Sequence, residues 1–318
     1  MQSSSPDNTP PGFSRRPGGA THFKRYWAAF LLVPSAALAL TAFALGSALG
    51  RRVHGRGTFP FAAPSTAVAL PDPKVLARQR MLTGLQSVLD QEAALIDGQV
   101  SVHVRLEDGG EAGIDPQRPV DAASVIKVPV MVALYQAWAS GKLKRTAQEE
   151  RWLRLMITRS RNIESNKLIE LLGKSGVNAC LEKNGYECCC LRTMILKDDG
   201  DGPNLVSAAE MTRMFQQIIH GELVSPEASA EMRKLLLAQH WRERIPGRLP
   251  KDVVVGNKTG TMSNLIHDVA FIEAPNGMRY YLAVLIERLD RSHVRSEEIA
   301  RLSRRVYDYL TGVPAQPA

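Results

Sequence analysis

A serine hydroxyl becomes a nucleophile when a base takes its proton, and Ser124-Val125-Ile126-Lys127 sets a basic side chain three residues beyond a serine. On a helix, residues three apart share a face, so the Lys127 ammonium can reach the Ser124 hydroxyl. No other S-x-x-K occurs in the chain. Pro129 sharpens the placement, because proline is tolerated near a helix start and costs about 3 kcal/mol deep inside one. Ser124 therefore belongs near a helix N-terminus, where free N–H groups and the positive end of the helix dipole would stabilise an oxyanion forming beside it.

Two further patterns follow in the chain. Ser160-Arg161-Asn162, the only S-x-N, opens a predicted helix, and Lys258-Thr259-Gly260 follows the strand-like run VVV at 253–255. In this order, and with the local wording ASVIKVPV, RLMITRSRNIESN and GNKTGTMSNLIHDVAF, the chain resembles class A β-lactamases and penicillin-binding proteins over roughly residues 75–312. The resemblance implies that Ser124 is the acylated nucleophile and Lys127 its base, with burial and nearby cations lowering the lysine pKa. It makes Ser160 the proton donor to the leaving nitrogen and Asn162 a partner of the substrate amide. Lys258 and Thr259, from the motif that Gly260 completes, would hold the substrate carboxylate. The backbone N–H groups of Ser124 and Thr261 would form the oxyanion hole. The implied substrate is a β-lactam or a peptidoglycan stem peptide ending in D-Ala-D-Ala. No cofactor and no metal is implied, and the chain is expected to be a monomer.

The chain also departs from that pattern. Class A β-lactamases activate the deacylating water with a glutamate from an E-x-x-x-N loop, and no such motif lies between Leu191 and Ser207. Asp198, Asp199, Asp201 and the more distant Glu187 are the nearby carboxylates, and each reads as a solvated turn residue. Arg161 replaces the aspartate of S-D-N, which suits penicillin-binding proteins better than β-lactamases. Only 36 positions separate Ser124 from Ser160, so part of the active-site wall is expected to be missing and the cleft open. Slow β-lactam hydrolysis is the expectation, with a D-Ala-D-Ala carboxypeptidase and a catalytically silent binding module as alternatives. A second K-[ST]-G, Lys174-Ser175-Gly176, falls between predicted helices, where no edge strand can present it. An α/β-hydrolase is excluded by the lack of G-x-S-x-G, and a P-loop fails because Leu168 stands where its first glycine belongs. His267 and Asp268 are read as serving their strand.

The elements that must position these groups are legible as changes of period. Leu76, Leu82, Leu85, Val88, Leu89 and Leu95 predict a helix over Lys74–Ile96. Val100, Val102, Val104 and Leu106 then alternate with Ser101, His103 and Arg105, predicting a half-buried strand with His103 on its polar face, before a hairpin turn at Asp108-Gly109-Gly110. Helical spacing recurs over 124–138, 146–158, 161–173, 207–220 and 226–239, an all-α block. Runs at 253–255, 268–273 and 280–287, with Asn276-Gly277 as a turn, predict three antiparallel strands, and Ser296–Leu310 a last helix. The expected fold class is α+β: an antiparallel sheet flanked by N- and C-terminal helices, with an inserted all-α block, as in β-lactamases and transpeptidases.

Ahead of this domain, expected at 74–312, residues 1–25 read as a disordered basic leader. The stretch 26–50 has no charged residue in 25 positions and predicts a transmembrane anchor or signal segment. Residues 51–73 read as a linker and 313–318 as a tail. The catalytic domain is expected outside the cytoplasm, anchored to a bacterial inner membrane, or secreted if the leader is cleaved. The net charge of +8 sits partly beside the apolar stretch, and no motif supports nucleic-acid binding. Cys188, Cys189 and Cys190 are consecutive and match no zinc spacing, while an oxidising compartment would let Cys180 pair with one of them.

Overall fold

The computed structural model describes residues 72–197, 200–287 and 296–313, all within one unit, Ala67–Ala318. The apolar stretch 26–50 lies outside the described residues, as do Asp198 and Asp199. Among the described residues no helix is long and apolar enough to cross a membrane.

The fold opens with α1, Pro73–Ala93, whose N-terminus is capped by Asp72 accepting from the Lys74 amide at 2.8 Å, with proline at the first helical position. The helix ends three residues before the expected Ile96. Next come β1 (Gln99–Leu106), β2 (Glu111–Ile114) and the short β3 (Val120–Asp121). A 3₁₀ turn, Ala123–Ile126, leads into α2 (Lys127–Ala139), followed by α3 (Ala147–Thr158), α4 (Asn162–Leu172) and α5 (Lys174–Lys183). The strand β4 (Leu205–Val206) pairs with β3, and α6 (Ala208–His220) and α7 (Pro226–Leu237) complete the helical block. The chain closes with β5 (Val254–Met262), β6 (Leu265–Glu273), β7 (Arg279–Glu287) and α8 (Ser296–Thr311).

Five strands form one antiparallel sheet in the order β2-β1-β7-β6-β5. The α+β class read from the sequence is therefore the observed one. One sheet face packs on α1 and α8 through Leu85, Leu89, Val102, Val284, Ile299 and Leu302. At Gly84 a Cβ would stand 2.0 Å from the Tyr309 hydroxyl, so glycine makes room for the ring that α8 lays against α1. The other face packs on the helical block through Val269, Phe271, Tyr281, Ala283 and Leu285.

Burial of both faces corrects the reading of β1. His103 is 3% and Ser101 0% exposed, because α6 covers the side that alternation marks as polar. His103 Nδ1 lies 2.6 Å from the Thr212 hydroxyl, and burial pushes its pKa down to about 4, leaving the ring neutral at physiological pH. Lys174-Ser175-Gly176 is also corrected: it forms the first turn of α5, a helix the periodicity does not resolve, after Gly173 turns the chain at φ 70°. All four cysteines are free thiols, so the pairing of Cys180 is absent.

Candidate active site

Ser124 lies in the 3₁₀ turn directly before α2, with Lys127 as the first residue of the helix. Pro129 is the third residue of α2, where its missing N–H costs no helical hydrogen bond. Ala123, just before the serine, sits at φ 41°, a conformation that L side chains avoid and that tertiary packing must impose. β5 imposes it in part: Gly260 presses against this turn, and a Cβ there would meet Val125 Cγ2 at 3.1 Å and the Ala122 carbonyl at 3.3 Å.

The Lys127 side chain is wholly buried, and its Nζ lies within hydrogen-bond distance of four oxygens, among which its three N–H groups are shared: Ser124 Oγ at 3.0 Å, the Ser160 carbonyl at 2.7 Å, Ser160 Oγ at 3.2 Å and Asn162 Oδ1 at 2.7 Å. Ser160 enters from the α3–α4 connection at φ 55°, a second left-handed non-glycine residue, and Asn162 opens α4. Lys258, on edge strand β5, is also wholly buried; its Nζ donates to Ser160 Oγ at 3.0 Å and to its own neighbour's carbonyl, Thr259 O, at 2.8 Å. Two lysines therefore share one serine hydroxyl. Burial pushes the Lys127 pKa from 10.5 down to about 7, partly opposed by the negative charge of Glu164. Burial, with the positive charge of Lys127 beside it, also holds Lys258 well below the usual lysine range.

A buried polar layer behind β5 sets this strand. Asp268 accepts from the Ile245 amide at 3.0 Å and from the Asn257 side chain at 2.9 Å, and burial raises its pKa to about 6. His267 Nδ1 accepts from the Ile286 amide at 3.1 Å, which places the ring proton on Nε2 for donation to the Asp121 carbonyl at 2.8 Å. Both residues serve the sheet, as their sequence context predicts. Thr259 is buried at 4% exposure, while Thr261 stands exposed at the mouth.

Sequence reasoning missed Arg244. Its guanidinium donates to the Gly260 and His267 carbonyls, both at 2.8 Å, and to Thr261 Oγ1 at 2.6 Å. It thereby adds a buried cation to the strand that carries Lys258. The run Trp241-Arg242-Glu243-Arg244 marks a basic segment, but its folding back onto β5 is a long-range contact that no local pattern encodes.

Ser124 faces a cavity of ≈ 390 Å³ that it shares with Asn162, Thr261, Met262 and the loop residues Met194, Ile195 and Leu196. The loop is pinned by Asn166, whose side chain accepts from the Ile195 amide at 2.8 Å and donates to its carbonyl at 3.1 Å. Among the described residues Asp121 is the one carboxylate lining this cavity, and its Oδ1 already accepts from the Ala123 amide at 3.0 Å. Asp201 instead pairs with Lys174 at 3.0 Å, and Glu187 is exposed on another part of the surface.

A serine held by a buried lysine, a second serine bridging to a lysine on an edge strand, and an asparagine opening a helix form one hydrogen-bonded cluster. The model of the beta-lactamase enzyme family matches residues 84–151 and 144–310. The chain belongs to this family. Among solved structures, the fold is similar to a penicillin G acyl-enzyme of a PBP-A variant, with TM-score 0.66, 23% identity, and coverage of 73% of this chain and 98% of that one. A beta-lactamase from Sphaerobacter thermophilus gives TM-score 0.65 at 24% identity, covering 73% and 99%. A curated beta-lactamase from Bacteroides uniformis is 26% identical over 117 residues, 34% of this chain and 40% of that protein. The match thus spans well under half of that relative.

Proposed function

We propose that the chain is a penicillin-recognising serine hydrolase that is acylated at Ser124 by β-lactams and deacylates slowly. The observation that carries this reading is the placement of Lys127: its buried amine, with a pKa near 7, is 3.0 Å from Ser124 Oγ. In its neutral form Lys127 takes the hydroxyl proton as Oγ attacks the lactam carbonyl carbon. The backbone N–H groups of Ser124 and Thr261 hold the resulting oxyanion. The C–N bond then breaks, and the proton passes from Lys127 through Ser160 Oγ, at 3.2 Å, to the departing nitrogen. Asn162 holds the substrate amide. Lys258, Thr259 and the Thr261–Arg244 pair offer hydroxyls and positive charge to the substrate carboxylate.

Deacylation needs a water held against the ester by a base. Among the described residues, the loop that lines the cavity at Ser124, with Thr193, Met194, Ile195, Leu196, Lys197 and Asn204, contributes no carboxylate. The same lack of a loop carboxylate favours a second reading, a D-Ala-D-Ala carboxypeptidase of the same mechanism that β-lactams trap. The working site is proposed to be extracytoplasmic, held by residues 26–50, where stem peptides and β-lactams are met.

Mass spectrometry of the intact chain after penicillin G tests the chemistry. The expected result is one stable adduct on Ser124, absent from Ser124→Ala, with nitrocefin turnover that is slow after a burst near one equivalent. An unmodified wild-type chain would leave only the silent-module reading. Rapid turnover without a burst would reject slow deacylation, and hydrolysis of a D-Ala-D-Ala peptide separates the carboxypeptidase reading from a lactamase.

A further inference from the structure

Lys127 and Asn162 open α2 and α4, and the far ends of these two helices border a second cavity, of ≈ 730 Å³. That size lies within the range of small-molecule sites, about 300–1,000 Å³. It shares no lining residue with the cavity at Ser124.

The cavity exists because facing helical stripes carry short side chains. At the three-and-four spacing of one helix face, α2 presents Ala133 and Ala137, with Ser140 as its cap, and α5 presents Gly176, Ala179 and Cys180. None of these is long enough to fill the space, and Gln136, the longer α2 side chain here, turns its amide to the Leu223 carbonyl at 3.1 Å. Leu172 and Leu223 add apolar wall, and Leu171 stands at the rim with 44% of its surface exposed. The Cys180 thiol adds no charge, since burial raises its pKa to about 11. The charged groups lining the cavity are Lys142 and Lys183, both exposed, and among the described residues no carboxylate lines it. Lysine can lay its methylene stem along an apolar wall while its ammonium stays in water. The cavity therefore combines a body of short and apolar side chains, with the Gln136 amide already paired, and a mouth of one charge sign.

We propose that this cavity binds a long-chain carboxylate, with the hydrocarbon between α2 and α5 and the anionic end on Lys142 and Lys183. An amphiphile with a cationic head meets two like charges and no acidic partner there, so the site discriminates by sign as well as by shape.

Photolabelling of the full chain in phosphatidylcholine nanodiscs with a diazirine analogue of myristate tests this, since the excess phospholipid competes throughout. The expected adducts map to peptides covering 133–143 and 171–183 and are displaced by free myristate. Ala179→Trp, an exposed position on α5 whose indole would plug the cleft, is expected to cut their yield by about tenfold or more. Lys142→Glu/Lys183→Glu is expected to do the same and to admit a trimethylammonium analogue that wild type rejects. Circular dichroism melts matching wild type confirm that each variant is folded, and if Ala179→Trp does not fold the double lysine variant decides alone. Adducts confined to other peptides, yields unchanged in a folded variant, or equal labelling by the cationic analogue would overturn the proposal.

Discussion

Raising the pH through 7 should switch on the proposed acylation at Ser124, because the group placed to take the serine proton is a lysine that burial has moved from 10.5 to about 7. An unperturbed lysine is neutral in about one molecule in 3,000 at pH 7, whereas Lys127 is neutral in about half, so the reactive form is enriched on the order of 10³-fold. Protonated Lys127 cannot accept the hydroxyl proton, so the second-order rate of labelling by a fluorescent penicillin should fall about tenfold per pH unit below the midpoint and level off above it. Within pH 6.5–9.5, a window chosen to lie above the Asp268 carboxyl that burial pushes up to about 6, the rate should rise about fourfold and be level beyond pH 8. Glu164 supplies a control in the opposite direction to burial: its charge raises the Lys127 pKa, so Glu164→Gln should move the midpoint to lower pH while leaving the plateau rate unchanged. A flat profile would remove Lys127 as the base. A rate still climbing tenfold per unit beyond pH 9 would mean that the lysine has its ordinary pKa and that burial does not tune it.

Three further outcomes follow from the geometry. Leu196→Glu puts a carboxylate on the exposed part of the cavity wall, beside the Ile195 backbone that Asn166 clamps, and should speed hydrolysis of the penicillin adduct by about 10²–10⁴, read as loss of the adduct by mass spectrometry. Arg244→Lys keeps a charge but loses the fork that holds Thr261 and the Gly260 carbonyl, so labelling efficiency should drop about tenfold, mainly through weaker binding; an unchanged saturation constant would refute the role given to Thr261. The Glu210 carboxylate accepts the amides of Glu187, Cys188 and Cys189 at 2.7–3.0 Å, so Glu210→Ala should cost about 2–4 kcal/mol in thermal or urea unfolding by leaving those N–H groups unpaired.

The parts of this protein that its sequence alone determined are those whose cause lies within a few residues. The three-residue spacing of Ser124 and Lys127, the early proline in α2, the turn at Asn276-Gly277 and the apolar runs of β6 and β7 need no distant partner to be read. Motif order then carried the cluster of Ser160, Asn162 and Lys258 around Lys127. Tertiary structure decided what depends on packing between distant segments. His103 sits on a face that alternation marks as polar, and only the arrival of α6 buries it. α5 begins at a motif that looks like a loop, because Gly173 turns the chain there through a positive φ. Arg244 reaches β5 from 16 residues upstream of the Gly260 carbonyl it binds, and Asp268 gathers the Ile245 amide and Asn257 behind the same strand. The lysine pKa belongs with these: S-x-x-K sets a lysine beside the serine, but the shift to about 7 comes from desolvation, which exists only once α2, α4 and β5 close around the amine and exclude water.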